Sequence, residues 1–253
     1  MGGLCRVVLS ILVVYISISV FECGWVGEAA GAGKVELGLY YETLCPYCSN
    51  FIVKNLASIF RNGLLDIIQL NLVPYGNARL DSDNNITCQH GPYECLLNTV
   101  EACVISTFPD VHKHFAFIYC VESLVVEQKF AQWESCFQQT GLDSQPVVDC
   151  YNSGYGKKLE LQYAAETNAL EPPHKFVPWV LVDGQPLYED YQNFAAYVCK
   201  AYKGDLPKAC KALPIEMQER KLNQFKPVSY FRETTHSSAV SVSQMEIKRP
   251  VHN

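Results

Sequence analysis

A chain of 253 residues, 49% apolar and 18% charged, is long enough for one medium domain, or a small domain carrying a large insertion, with a real hydrophobic core. Its net charge of -6 leaves no basic surface for a phosphate backbone, which excludes nucleic acid as a partner class. Twelve cysteines make redox compartment the first question.

The N-terminus reads as a secretory signal. Arg6 precedes the apolar run Val7 to Phe21, and Ala30-Gly31-Ala32 offers a small-residue cleavage site. The run is shorter than the roughly 20 apolar residues that a membrane span needs. Residues 1–33 are therefore expected to be removed, with no stable membrane insertion afterwards. Cys5 and Cys23 leave with them. The remaining cysteines in an oxidising lumen are expected to form a disulfide framework. Cys45 and Cys48 aside, these are Cys88, Cys95, Cys103, Cys120, Cys136, Cys150, Cys199 and Cys210, and their pairing is not readable from sequence. A local bridge from Cys199 to Cys210, across a loop holding Gly204 and Pro207, is the one pairing proposed.

From Val35 to Tyr41, Val35, Leu37, Leu39 and Tyr41 alternate with Glu36, Gly38 and Tyr40, which predicts a strand. After Cys45-Pro46-Tyr47-Cys48, residues Ile52, Leu56, Ile59 and Phe60 recur at helical spacing, and Gly63 supplies a stop. Ile67 to Val73 is β-branched and apolar, a second buried strand. Together these form a strand-helix-strand unit suited to a parallel pair. Residues 74–175 read as a helical insertion. Its first part, DSDNNIT, is an expected exposed loop whose Asn85-Ile86-Thr87 is a glycosylation sequon. Helices are then predicted around Leu96, Val100 and Cys103, around Val111, Phe115, Ile118 and Tyr119, and over 156–168. Trp179 to Val182 is a short strand, Asp183-Gly184 a hairpin turn, and Gln185 to Leu187 a returning edge strand. Asp190 is expected to cap a last helix carrying Phe194, Tyr197, Val198 and Ala201. The domain is expected to span 34–210. Residues 211–253 are polar and mildly basic, an expected disordered tail.

CPYC falls where the first strand hands over to a helix. Cys45 then sits at the helix N-terminus, with Pro46 in the first turn, where its missing N–H costs nothing. Unpaired N–H groups and the helix dipole favour a thiolate there. Cys45 is therefore the expected nucleophile and Cys48, one turn later and deeper, the resolving thiol. Val177-Pro178 immediately precedes a predicted strand. The order β-α-β, insertion, β-β-α is that of a thioredoxin-like α/β fold, in which a proline at this place is cis and helps hold an extended substrate. A degenerate, inactive thioredoxin-like module usually loses one cysteine, and this chain keeps both. Two further readings of CPYC compete. One is a zinc half-site completed by Cys88, His90 and Cys95, whose spacing is poor; no metal is expected. The other is a structural bridge, which would close too small a loop to constrain much.

A second motif, CQHGPYECLLNTVEAC, runs from Cys88 to Cys103. Gly91-Pro92 opens a helix with Glu94, Asn98 and Glu101 on one face and Leu97, Val100 and Val104 on the next. The residues alone favour a disulfide-anchored structural helix whose polar residues face solvent, over direct catalysis by His90 or Glu94. Cys95 and Cys103 project in different directions and are expected to pair elsewhere rather than with each other.

The chain here resembles the gamma-interferon-inducible lysosomal thiol reductase family. That family's signature C-Q-H-G-x-x-E-C-x-x-N-x-x-E-x-C is matched at Cys88, Gln89, His90, Gly91, Glu94, Cys95, Asn98, Glu101 and Cys103, with the upstream C-x-x-C at Cys45 and Cys48. The resemblance implies a thioredoxin-like fold with a helical insertion, and reduction of protein disulfides in an acidic endosomal or lysosomal lumen. It needs no cofactor beyond the Cys45–Cys48 pair, an external small thiol as electron donor, and disulfide-containing proteins as partners. A secreted or vacuolar location is equally compatible with a signal peptide. An oxidase or isomerase, and a redox-inactive disulfide-rich binding protein, are the alternatives. At pH about 5 a thiol of pKa about 8.5 is only about 0.03% thiolate, so an acid-working reductase needs its nucleophile strongly activated. The helix N-terminus is the one contributor visible in the sequence.

Overall fold

The structure is a computed structural model, and it describes residues 33–213. The expected signal, its cleavage site and the tail beyond 213 lie outside the described residues.

Strand β1 (Val35–Tyr41) pairs in parallel with β2 (Ile68–Pro74), Val35 opposite Ile68 and Tyr41 opposite Pro74. On its other side it pairs antiparallel with β5 (Trp179–Val182), Leu37 opposite Val182 and Tyr40 opposite Trp179. β6 (Gln185–Pro186) closes the edge, giving the order β2-β1-β5-β6. Asp183 and Gly184 both take positive φ, 46° and 75°, as the tight Asp-Gly hairpin requires. β1 is thus a central strand, and its alternation separates two cores rather than core from solvent. Leu37, Leu39 and Tyr41 pack with Val180, Val182, Phe51 and Ile52 on one face. Tyr40 packs with Val73, Trp179 and Leu181 on the other.

The helix expected after CPYC is broken. α1 (Pro46–Lys54) gives way to a 3₁₀ turn at Leu56–Ser58 and then α2 (Ile59–Asn62), ended by Gly63 at φ 81°. The tighter turn changes which residues share a face, and Leu56, Ala57 and Ile59 all end buried. Helix α8 (Phe194–Ala201) has Asn193, not Asp190, at its N-cap. Residues Tyr188–Asn193 form a 3₁₀ turn before it, and within that turn Asp190 accepts from the Tyr197 hydroxyl at 2.6 Å and from the Asn193 amide.

Between β2 and β5 the chain first makes a small hairpin, β3 (Arg79–Leu80) and β4 (Ile86–Thr87), that the polar sequence did not announce. Asn85 sits exposed beside it. Helices α3 (Pro92–Thr107), α4 (Val111–Val126), α5 (Ser135–Thr140), α6 (Gln145–Asn152) and α7 (Tyr155–Asn168) follow. They enclose a second core that includes Leu97, Val100, Val104, Phe117, Val121 and Val147. α4 joins the two cores, because Phe115 and Ile118 belong to the sheet-side cluster. Disulfides staple this layer: Cys103–Cys150 ties α3 to α6, and Cys120–Cys136 ties α4 to α5. Cys88–Cys95 closes the loop entering α3, and Cys199–Cys210 ties α8 to α9 (Lys208–Lys211). Among the described residues no helix is long and apolar enough to cross a membrane.

Candidate active site

β1 ends at Tyr41, and three residues later the chain turns into α1. Cys45 is the N-cap of α1, in extended conformation with φ -72° and ψ 119°, and its N–H donates to the Glu42 carbonyl at 3.3 Å. Pro46 occupies the first turn, where no N–H is needed. Cys45 and Cys48 are the free cysteines among the described residues. Tyr47, between them, is 70% exposed, so the pair lies under an open face. Val177 and Pro178 are buried, their bond is cis, and Val177 shares one apolar cluster with both cysteines.

The two thiols are driven apart electrostatically. Cys45 falls from its ordinary value to about 6. The Cys48 thiol donating to it is the largest cause, and burial opposes it. The backbone N–H groups of Cys48 and Tyr47 and the charge of His90 then add to the lowering. Cys48 rises well above the ordinary thiol value because it is fully buried and faces Cys45. One sulfur is set to be a thiolate and the other to hold its proton.

The helix of the second motif overturns the expectation of a solvent-facing polar side. Glu94, Asn98 and Glu101 are each fully buried. The reason is that this face of α3 abuts the end of β1 and the turn before Cys45, whose polar groups it satisfies. Thr43 N–H donates to Asn98 Oδ1 at 3.1 Å, and the Thr43 hydroxyl donates to the Glu94 carbonyl at 3.4 Å. The Tyr41 hydroxyl donates to Glu101 Oε2 at 2.5 Å. Ahead of α3, Gln89 Oε1 accepts from the Asn77 amide at 2.7 Å, and Cys88 and Cys95 hold the loop closed. Asn98 and Glu101, with the Glu94 carbonyl, therefore dock α3 against the end of β1 and the turn before Cys45.

Sequence reasoning missed Glu42 and Glu122. Glu42 is buried at the end of β1. Its Oε2 accepts from Asn77 N–H at 2.7 Å, and its Oε1 lies 3.5 Å from His90 Nδ1. The chain at Gly76 passes so close that a Cβ there would stand 2.5 Å from Glu42 Oε2. Burial pushes the Glu42 carboxyl up to about 7. The signal for it was a charged residue ending an apolar strand. Glu122 sits on the apolar face of α4, one turn after Ile118. Both its oxygens are buried without a hydrogen-bond partner, and burial holds its pKa well above the carboxylate range.

His90 Nδ1 pairs with Glu94 Oε2 at 2.5 Å and its side chain is one-third exposed (33%). Burial disfavours its charge, but the hydrogen bond and charge of Glu94, with the charge of Glu42, outweigh that and raise its pKa. Glu42, His90 and Glu94 bring three potential ligand atoms within 4.8 Å of one another. Two ligands about 2.0–2.1 Å from a tetrahedral zinc stand roughly 3.3 Å apart, so the 2.5 Å contact describes a hydrogen-bonded ion pair rather than a cation cage. The zinc half-site fails more simply, since the sulfurs of Cys88 and Cys95 are bonded to each other.

Comparison with known proteins agrees with this geometry. The family described as "Gamma interferon inducible lysosomal thiol reductase (GILT)" matches residues 36–140. A "Gamma-interferon-responsive lysosomal thiol protein" of Arabidopsis thaliana is 46% identical over 189 residues, covering 73% of this chain and 78% of that one. The "Gamma-interferon-inducible lysosomal thiol reductase" of Carassius auratus is 39% identical over 203 residues, covering 75% and 78%. That of Mus musculus is 36% identical over 186 residues, covering 71% and 73%. Among solved structures, reduced DsbA of Mycobacterium tuberculosis superposes with a TM-score of 0.51 at 22% identity, covering 70% of this chain and 88% of that one. This last likeness speaks for the fold alone, which is thioredoxin-like.

Proposed function

The chain belongs to the gamma-interferon-inducible lysosomal thiol reductase family and is a thiol-disulfide oxidoreductase, and from that premise we propose that it reduces protein disulfides through Cys45 and Cys48 in an acidic lumen. The observation that carries the assignment is the placement of two free thiols in one helical turn, Cys45 at the N-cap of α1 and Cys48 fully buried behind it.

The Cys45 thiolate attacks one sulfur of a substrate disulfide. A Cys45–substrate bond forms, the substrate S–S bond breaks, and the first substrate sulfur leaves as a thiolate that takes up a proton. Cys48 then gives up its proton and attacks Cys45 Sγ. The second substrate sulfur leaves, and the two electrons delivered to the substrate remain accounted for as the Cys45–Cys48 disulfide. A small external thiol, oxidised in turn, restores the dithiol. No further cofactor enters. Val177 and Pro178 form the wall beside the pair against which an extended substrate strand rests. The lowered Cys45 value supports the acid setting: at pH 5 about a tenth of it is thiolate, against about 0.03% for an ordinary thiol. The same stabilised thiolate favours the reduced pair and so supports a second reading, transfer of a disulfide to substrates.

Insulin reduction assayed from pH 4 to 8 tests the proposal. Cys45→Ser is expected to abolish turnover, and Cys48→Ser to accumulate a covalent substrate adduct at Cys45. Full turnover by Cys45→Ser would end this mechanism. A glutathione titration of the pair separates the two directions.

A further inference from the structure

The proposed reading leaves open how Cys45 stays reactive as protons become abundant. Three groups from different elements interact electrostatically with Cys45: Glu42 from the turn after β1, His90 from the loop before α3, and Glu122 from α4, while Glu94 on α3 pairs with His90. Cys48 faces it from α1. Glu42, His90 and Glu94 form one connected unit. His90 Nδ1 lies 2.5 Å from Glu94 Oε2 and 3.5 Å from Glu42 Oε1, and the His90 backbone N–H points to Glu94 Oε1 at 3.4 Å. Glu42 is in turn tied to Cys45 through its own carbonyl. The imidazole is the cationic member of a cluster otherwise made of carboxyls.

We infer that His90 is a positioning residue for the Cys45 thiolate, and that the Glu42–His90–Glu94 cluster keeps the nucleophile charged in acid by becoming more positive as the pH falls. This rests on the reading of Cys45 as the attacking thiol. The sign follows from the two members that titrate in the relevant range. As pH drops through the neutral region, Glu42, held at about 7, takes up a proton and loses its negative charge. His90, raised by its carboxylate partners, acquires or keeps its positive charge. Both changes favour a neighbouring anion. They oppose the direct effect of acid, which is to protonate Cys45. As pH rises, both reverse, and the cluster works against a thiolate that bulk solvent no longer threatens. Glu122 is pushed in the same direction, since burial favours its neutral form.

The cluster also explains a feature of the second motif that docking alone does not. Asn98 and Glu101 bond to β1 and its turn, whereas the ring of His90 pairs with the acidic side chains of Glu42 and Glu94 and is partly open to solvent. A buried carboxylate on each side of a half-open imidazole suits a group whose charge is to be controlled.

The test is the rate at which iodoacetamide alkylates Cys45 in the mildly reduced full chain from pH 4 to 8, with the modified cysteine identified by peptide mass. His90→Gln is expected to lower the rate at pH 5 about tenfold while changing it less than threefold at pH 8, since one nearby charge moves a thiol by about one unit or more. His90→Lys, which keeps a cation, is expected to hold the pH 5 rate within about threefold of the native one. Glu42→Gln, already matched by the protonated native carboxyl in acid, is expected to leave the pH 5 rate within about twofold. A His90→Gln profile that superimposes on the native one, or a His90→Lys loss as large as that of His90→Gln, overturns the inference and leaves Cys45 as nucleophile standing. Native Cys45 that resists alkylation across the whole range overturns both.

Discussion

Glu101 supplies a prediction about stability that runs against ordinary acid denaturation. It is fully buried, its Oε2 accepts from Tyr41, and its Oε1 has no partner. Burial raises its carboxyl from an ordinary 4.5 to about 8, the Tyr41 hydrogen bond only partly opposing this. In the unfolded chain the same group titrates near its ordinary value. Between those limits the folded state holds a proton that the unfolded state has lost, so stability must fall as pH rises. The group's contribution is fully present below about 4.5 and is lost as pH passes through about 8. Integrated from pH 5 to pH 7.5, the loss is about 3 kcal/mol at 1.36 kcal/mol per unit. Glu101→Gln keeps an acceptor for Tyr41 and never ionises. Urea unfolding with the disulfides intact is expected to show the native chain losing about this much more stability than Glu101→Gln between pH 5 and 7.5. The variant should lose that share of the pH dependence and be the more stable protein at pH 7.5. Parallel native and variant profiles across this window would refute the reasoning.

Two structural predictions concern the helical layer. A Cβ on Gly156 would stand 2.6 Å from Thr99 Cγ2 and 3.1 Å from Cys103 Sγ, where the Cys103–Cys150 bridge gives little. Gly156→Ala is expected to cost about 1–3 kcal/mol as overpacking, and an unchanged urea midpoint would contradict that contact. Replacing Cys120 and Cys136 together by Ser opens a loop closed at a sequence separation of 16. The expected loss is about 3 kcal/mol, or roughly 10 °C in melting temperature, and a shift below about 2 °C would show that the bridge adds nothing to the packing of α4 on α5.

The strands, the redox turn and the hairpin were legible because each is specified locally. Alternation marks β1, Asp183-Gly184 needs the left-handed backbone it adopts, and Pro46 tolerates a helix start. What was not legible depends on partners far away in the chain. Hydrophobicity alone places Glu94, Asn98 and Glu101 on an exposed side. Asn98 and Glu101 are buried where Thr43 and Tyr41, more than fifty residues earlier, bring an N–H and a hydroxyl to them, and the Glu94 carboxyl is buried against His90. The resemblance to a family marked these positions without saying why, and the hydrogen bonds give the reason. The break after Lys54 and the 3₁₀ turn at Tyr188–Asn193 were hidden as well. The apolar spacing of Ile52, Leu56, Ile59 and Phe60 runs through the first break unchanged, and Asp190 lies inside the second turn rather than at the start of the helix it was expected to cap.

The buried acids also connect stability with the proposed chemistry. Glu42, Glu101, Glu122 and Glu160 all have raised values, and in each the leading cause is burial. A protein working at neutral pH would ionise several of them against a low-dielectric interior and be destabilised by doing so. In acid they are neutral, and the interior around the cysteine pair carries little negative charge. The Cys45 thiolate then has few anions to repel it. On the proposed reading, the condition that keeps the core uncharged is the same one in which Cys45 needs help to stay charged, and a single drop in pH supplies both.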